Sequence, residues 1–156
     1  MDARLNPYDG ATTMKFVKYL NSSGAVVTDS KLPAKTQELV KIRASQLNGC
    51  SGCLDMHTKD AEYRGESSVR LHLVGAWREA TVFTEAEKAA LELTEQGTRI
   101  ADANGVSDEA WENAAKHYDD DQLGALVCLI ALINAYNRMN VITRQPAGDY
   151  VPGQWG

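Results

Sequence analysis

The sequence is short of the residues that define several structural classes. Only 3 of its 156 residues are cysteine, an odd number too small for a disulfide-stapled secreted scaffold. With 4 prolines and 12 glycines, collagen-like and proline-rich disordered chains are excluded. Basic residues are outnumbered 16 to 21, for a net charge of −5. Nonspecific binding to nucleic acid or to an anionic membrane needs a basic surface, so neither partner is expected. Long apolar stretches are also missing. The longest, Gly124 to Ile133, is too short to span a bilayer. The start, Met1-Asp2-Ala3-Arg4, carries an acidic residue with no apolar run behind it, which does not read as a signal peptide. The expectation is a soluble, cytoplasmic, single-domain protein.

What is present reads as all-α, a compact bundle of about seven helices. Met14 to Asn21 is a short first helix, ended by Ser22-Ser23-Gly24. The second runs from Ala34 to Asn48 behind Pro33, a residue suited to a first turn, and Asn48-Gly49 breaks it. The third begins at Cys50 or Ser51 and runs to Arg64, with Gly65 as its stop. Ser67 to Gly75 or Trp77 is a shorter fourth. Thr84-Glu85-Ala86-Glu87 is a capping box opening the fifth, whose Ala86, Ala89, Ala90 and Leu93 form an apolar stripe. Ser107 opens the sixth, ending near His117. Asp119 to Asp121 set negative charge at the start of the seventh, which reaches Ile142. The domain covers residues 1–145, and 146–156 form an irregular tail. Gly124 to Ile133 is apolar all round, as for a helix central to the core or covered by another subunit.

Chemistry concentrates between Glu38 and His57. At ~100° per residue, Cys53 and His57 lie within roughly 60° of Cys50 around the third helix. Leu54 and Ala61 share that face. Asp55, Lys59 and Glu62 lie on the opposite side, expected to be solvated. Cys50 stands at the helix start, where unpaired amides and the helix dipole favour a thiolate. His57, one turn beyond Cys53, is near enough to accept its proton. Two cysteines at i and i+3 can close a disulfide across the first turn. Glu38 falls at the edge of the preceding helix's apolar face. With the two helices antiparallel it would lie near the distal end of the third, as a half-buried carboxylate of raised pKa able to shuttle protons.

Other readings stand beside these. Cys50, Cys53, His57 and Glu38 could together ligate zinc, although no second Cys or His pair occurs at zinc-finger spacing. The two cysteines could be buried residues without a role. Cys128 reads as a small buried hydrophobe, His72 as structural, and His117 as a response to a helix C-terminus. The polar run Asn134-Ala135-Tyr136-Asn137-Arg138, after ten apolar residues, either reaches a pocket or caps core contacts.

Glu38, with Cys50 twelve positions on, then Cys53 and His57, resembles the core motif of the alkylhydroperoxidase D / carboxymuconolactone decarboxylase family. The likeness extends through Glu38-Leu-Val-Lys-Ile-Arg-Ala-Ser-Gln-Leu-Asn-Gly-Cys50, Asp55-Met-His-Thr-Lys-Asp-Ala61, Gly75-Ala-Trp-Arg-Glu-Ala80 and Ile133-Asn-Ala-Tyr-Asn-Arg138, which look like the short peroxidase-related branch. The resemblance implies an all-α fold assembling into a homo-oligomer, a trimer or hexamer. It also implies a thiol-dependent peroxidase needing no cofactor or metal. Cys53 would attack the peroxide, Cys50 would resolve, and His57 and Glu38 would relay protons. The partners implied are a small peroxide and an external dithiol reductant. Alkylhydroperoxidase D patterns carry a second histidine just before the second cysteine; here that position is Gly52. The decarboxylase branch generally lacks the cysteine pair. The alternatives are a lactone-directed decarboxylase-like enzyme using His57, and a non-enzymatic redox-sensing oligomer.

Overall fold

The computed structural model describes residues 2–102 and 104–154. Among them there is no strand. The order is α1 (Ala11–Thr28), α2 (Ala34–Asn48), α3 (Ser51–Tyr63), α4 (Ser68–Leu73) running into a single 3₁₀ turn (Val74–Ala76), α5 (Glu85–Thr98), α6 (Asp108–Ala115) and α7 (Asp120–Thr143). The expected all-α bundle of seven helices is therefore what forms.

Helix α2 is central and packs against α3, α5 and α7. It divides the apolar interior in two. Val40 faces a cluster with Ala90, Leu93, Leu126 and Leu129, from α5 and α7. Leu39 and Ile42 face a second cluster with Leu71, Val74, Trp77 and Leu91. Each such leucine or isoleucine stabilises the fold by about 1.5–3 kcal/mol through removal from water. Charged pairs fasten the margins. Glu95 accepts from Arg43, Trp77 and Arg78, joining α2 and the 3₁₀ segment to α5. Arg70 bridges Glu66 and Glu87 and stacks over Phe83.

The capping signals act as expected at α5 and α7. Thr84 and Glu87 exchange both bonds of a capping box, and so do Asp119 and Gln122. The first helix departs from expectation. Ser22-Ser23-Gly24 does not end α1, which continues to Thr28. The Ser22 and Ser23 hydroxyls donate to the Lys18 and Tyr19 carbonyls one turn back, sharing acceptors of the helix ladder without ending it. Gly24 lies where α1 crosses α7: a Cβ there would stand 3.5 Å from Leu132. Gly24 thus faces α7 at ordinary contact distance and leaves the helix unbroken.

Helix α7 is 24 residues long, and among the described residues it alone is long and apolar enough to cross a membrane by length and composition. Its inner face is core: Leu123, Leu126, Leu129, Ile130 and Ile133 are buried. Its outer face carries Val127 and Cys128, both exposed in this chain. Cys128 is thus a surface thiol rather than the expected buried hydrophobe. A helix apolar all round gives no sequence clue to which side the core takes.

Candidate active site

The site is built at the turn between α2 and α3. Gly49 closes α2 in the left-handed conformation, at φ 66°, which a side chain would resist. The amides of Gly49 and Cys50 turn back to the carbonyls of Gln46 and Ser45. This reversal sets Cys50, in an extended conformation, as the N-cap of α3. No side chain caps the α3 amides, and its first turn holds no acidic residue. Cys53 follows within the first turn, and a disulfide joins the two cysteines, with Cα atoms 5.4 Å apart. Both are almost fully buried.

His57 is one turn further along α3, and Glu38 on α2 faces it. Glu38 Oε2 lies 3.2 Å from His57 Nδ1, a close contact between carboxylate and imidazole. It is off the hydrogen-bond axis, since Oε2 is buried with no aligned donor. Oε1 accepts from Lys41 at 3.0 Å and from Arg64, at the far end of α3, at 3.1 Å. The antiparallel packing expected for Glu38 is thus present, but its expected titration is reversed. Burial alone raises the carboxyl pKa; the His57 contact and the Lys41 charge outweigh it and hold Glu38 down to about 2. Glu38 is a fixed anion at neutral pH.

Two features lay outside the sequence reading. The first is Asn140, near the end of α7, whose side-chain amide donates to Cys53 Sγ at 3.3 Å. The second is the chain after α7, which returns along the outer side of α3. Asp55 Oδ2 accepts from the amides of Gly148 and Tyr150, and Lys59 donates to the carbonyls of the same two residues. Tyr150 OH and the Gly153 amide reach Asp60. The face expected to be solvated is therefore covered by the tail at Asp55, whose carboxyl is 12% exposed. Burial raises the Asp55 pKa, but the Lys59 and backbone donors together bring it below the ordinary aspartate value. Residues 155 and 156 of the tail lie outside the described residues. Tail and α3 together bound an open cavity of about 490 Å³, with Cys50, Gly52, Asn140, Arg144 and Pro146 among its walls. A Cβ on Gly52 would stand 3.4 Å from the Pro146 carbonyl, so the tail occupies the space beside the position where a second histidine is absent.

The polar run of α7 reaches inward without lining this cavity. Asn48 donates to both Asn134 and Asn137, and Asn137 donates to Ser45. Those bonds brace the last turn of α2, immediately before Gly49 and Cys50. Tyr136 turns the other way and donates to Asn21 on α1. Burial and the neighbouring Tyr8 raise the Tyr136 pKa to about 12. Arg138 folds back onto Asn134. His72 is exposed on α4. His117 lines a separate depression of about 420 Å³ with Thr84, Glu87 and Tyr118, which contains no cysteine. Among the described residues no group of three or more His, Cys, Asp or Glu is arranged to hold a metal ion.

Comparison with known proteins places the chain in a family. Residues 15–96 match the model of the carboxymuconolactone decarboxylase family. An uncharacterized Bacillus subtilis protein, YdfG, is 44% identical over 112 residues, covering 72% of this chain and 76% of its own. A solved structure from Agrobacterium tumefaciens superimposes with a TM-score of 0.89 at 31% identity, over 96% of this chain and 100% of that one. That protein is of unknown function, and its name suggests an AhpD-type role in antioxidant defence. An uncharacterized peroxidase-related protein from a Silicibacter species shares the fold, with a TM-score of 0.76 at 16% identity over 92% of this chain and 75% of that one. The chain belongs to the carboxymuconolactone decarboxylase family, among its AhpD-like members.

Proposed function

We propose that this protein is a thiol-dependent peroxidase cycling between the Cys50–Cys53 disulfide and the dithiol. The observation that carries this reading is one local arrangement: a bonded cysteine pair at an uncapped helix start, with an imidazole one turn on and a buried carboxylate 3.2 Å behind it. An uncapped N-terminus presents free amides and the positive end of the dipole to a sulfur anion. In the reduced state the Cys53 thiolate attacks the peroxide O–O bond. One oxygen stays on sulfur as a sulfenic acid, and the other leaves as alcohol or water after taking up a proton. The Cys50 thiol then displaces the sulfenic oxygen as water and closes the disulfide. An external dithiol reverses this by exchange, becoming a disulfide itself.

His57 is the proton carrier in this cycle. Its Nδ1 edge faces Glu38, which leaves Nε2 to exchange protons with the sulfur and the leaving oxygen. Glu38, ionised at working pH, orients the ring and compensates its charge; it does not itself carry the proton. The role first expected of Glu38 is narrowed to that of a fixed partner.

The test is a single turnover. Fully reduced protein receives one equivalent of an organic hydroperoxide, and the peptides are mapped by mass. A Cys50–Cys53 disulfide formed with stoichiometric alcohol is the expected result. Thiols that stay reduced while the peroxide persists would overturn the proposal. A second reading draws on the His57–Glu38 contact, which suits acid–base catalysis on a small lactone or carbonyl compound without the cysteines. Lactone turnover that survives replacement of both Cys50 and Cys53 by serine would establish that reading instead.

A further inference from the structure

We propose that Asn140 is a catalytic residue of the dithiol site, donating to the Cys53 sulfur and holding it as the thiolate whenever the disulfide opens. The inference rests on the dithiol reading above, and does not depend on peroxide being the substrate.

Three observations carry it. The Asn140 side-chain nitrogen lies 3.3 Å from Cys53 Sγ, and among the described residues this is its side chain's one hydrogen bond. A disulfide sulfur is a weak acceptor, whereas a thiolate is a strong one. The donor is thus aimed at an atom that gains charge only during the reaction, as in other preorganised anion-stabilising sites. Next, the helix that carries Asn140 is anchored one turn before it. Asn140 stands three residues after Asn137, which is fully buried and bonded to both Asn48 and Ser45. The same seam of α7 asparagines therefore braces the α2 turn that carries Cys50 and reaches the sulfur of Cys53. Finally, the two sulfurs are inequivalent. Both cysteines are almost fully buried but meet different surroundings: Cys50 is among the residues bounding the cavity, and Cys53 meets the Asn140 amide.

This inequivalence gives reduction a direction. A thiolate of the external dithiol, its proton lost to solvent, reaches Cys50 Sγ from the cavity. A bond forms between donor sulfur and Cys50, the Cys50–Cys53 bond breaks, and its electron pair goes to Cys53, which leaves as a thiolate onto the Asn140 N–H. The second donor thiol then displaces Cys50, and its proton passes to the Cys50 sulfur. The donor ends as a disulfide, oxidised by two electrons. The protein ends with a Cys50 thiol and a Cys53 thiolate, ready to act as nucleophile.

Two titrations test the assignment in the full chain. The first uses protein in which Cys50→Ser and Cys128→Ser leave Cys53 as the only thiol, with thiolate absorbance followed against pH. Loss of a hydrogen bond to a charged group predicts that Asn140→Leu raises the Cys53 pKa by about one to two units. Asn140→Asp, nearly isosteric but placing a carboxylate beside the sulfur, should raise it at least as far. The second equilibrates the otherwise unaltered chain and each Asn140 variant with glutathione. Both variants should shift the Cys50–Cys53 couple toward the disulfide, about tenfold or more. Circular dichroism verifies folding, and Asn140→Asp serves if the leucine variant does not fold. A Cys53 pKa and a glutathione equilibrium unchanged by the substitutions overturn the proposal. If the unaltered chain fails to consume hydroperoxide, the peroxidase reading falls alone, and these two titrations still decide the role of Asn140.

Discussion

Helices α3 and α5 begin in opposite ways. At α5, Thr84 accepts from the Glu87 amide, Glu87 accepts from the Thr84 amide, and Arg70 holds Glu87 in place. Glu85 and Glu87 add negative charge to that first turn. Burial raises the Glu87 pKa, but Arg70 and the Thr84 amide bring it below the ordinary glutamate value. That start is capped by its own side chains and carries negative charge at the positive end of the dipole. At α3 no side chain caps the start: the N-cap is Cys50, and the first turn has no acid. One start is finished for stability. In the proposed cycle the other leaves its amides and dipole open to a charge that comes and goes on sulfur. Helices α1, α2 and α4 also start without a side-chain cap, so an open start alone does not mark chemistry; what sets α3 apart is the cysteine pair standing at its open end.

The contrast makes distinct predictions, the largest at the sulfur. Cys53→Ser should abolish hydroperoxide consumption, whereas Thr84→Ala at the other helix start should leave it within about twofold of the unaltered chain, since α5 is far in sequence and role from the dithiol. Comparable losses in both would mean that the α3 start has no special part.

Next in size is acid sensitivity. Glu38 has a folded-state pKa of about 2 against an ordinary 4.5, so its ionised form stabilises the fold above pH 4.5. That contribution, up to about 3 kcal/mol, is lost as pH falls from 4.5 through 2. Denaturant melts at stepped pH should show this decline, and Glu38→Gln should flatten it. An equally steep decline in the glutamine variant would remove Glu38 as the cause.

The Thr84→Ala cost itself is smaller. Loss of the cap should destabilise by about 1 kcal/mol, or a fall in Tm of about 2–4 °C for a chain of this size. Smallest in global terms is Asp55→Asn. It weakens the charge-assisted bonds to the Gly148 and Tyr150 amides and should change overall stability by less than about 1 kcal/mol. Limited proteolysis between residues 147 and 154 should nevertheless become faster, because the tail opens separately from the core. An unchanged cleavage rate would mean that Lys59 and Asp60 hold the tail alone.

Much of this molecule is legible before folding. The bounds of α2 and α3 and the start of α5 follow from Pro33, Gly49, Gly65 and the Thr84–Glu87 box, because these signals act through a few adjacent backbone groups. The pairing of Cys50 with Cys53 and the approach of Glu38 to His57 follow from helical spacing and a tight turn. The reading of Ser22-Ser23-Gly24 as a stop fails, because the exposed serines turn their hydroxyls back onto α1 and Gly24, facing α7, stays helical. Burial of Cys128 is misread for a different reason. An apolar helix carries no mark of its inner side.

Sequence alone therefore determined the all-α class, most helix limits and the cluster of Glu38, Cys50, Cys53 and His57, all matters of local geometry within two helices and one turn. Only the tertiary structure decided the rest. It set the charge of Glu38, where burial is outweighed by His57 and Lys41. It brought Asn140 to the Cys53 sulfur across 87 positions of sequence. It laid the tail over Asp55. Contacts across such separations depend on how whole helices pack, which no local pattern encodes.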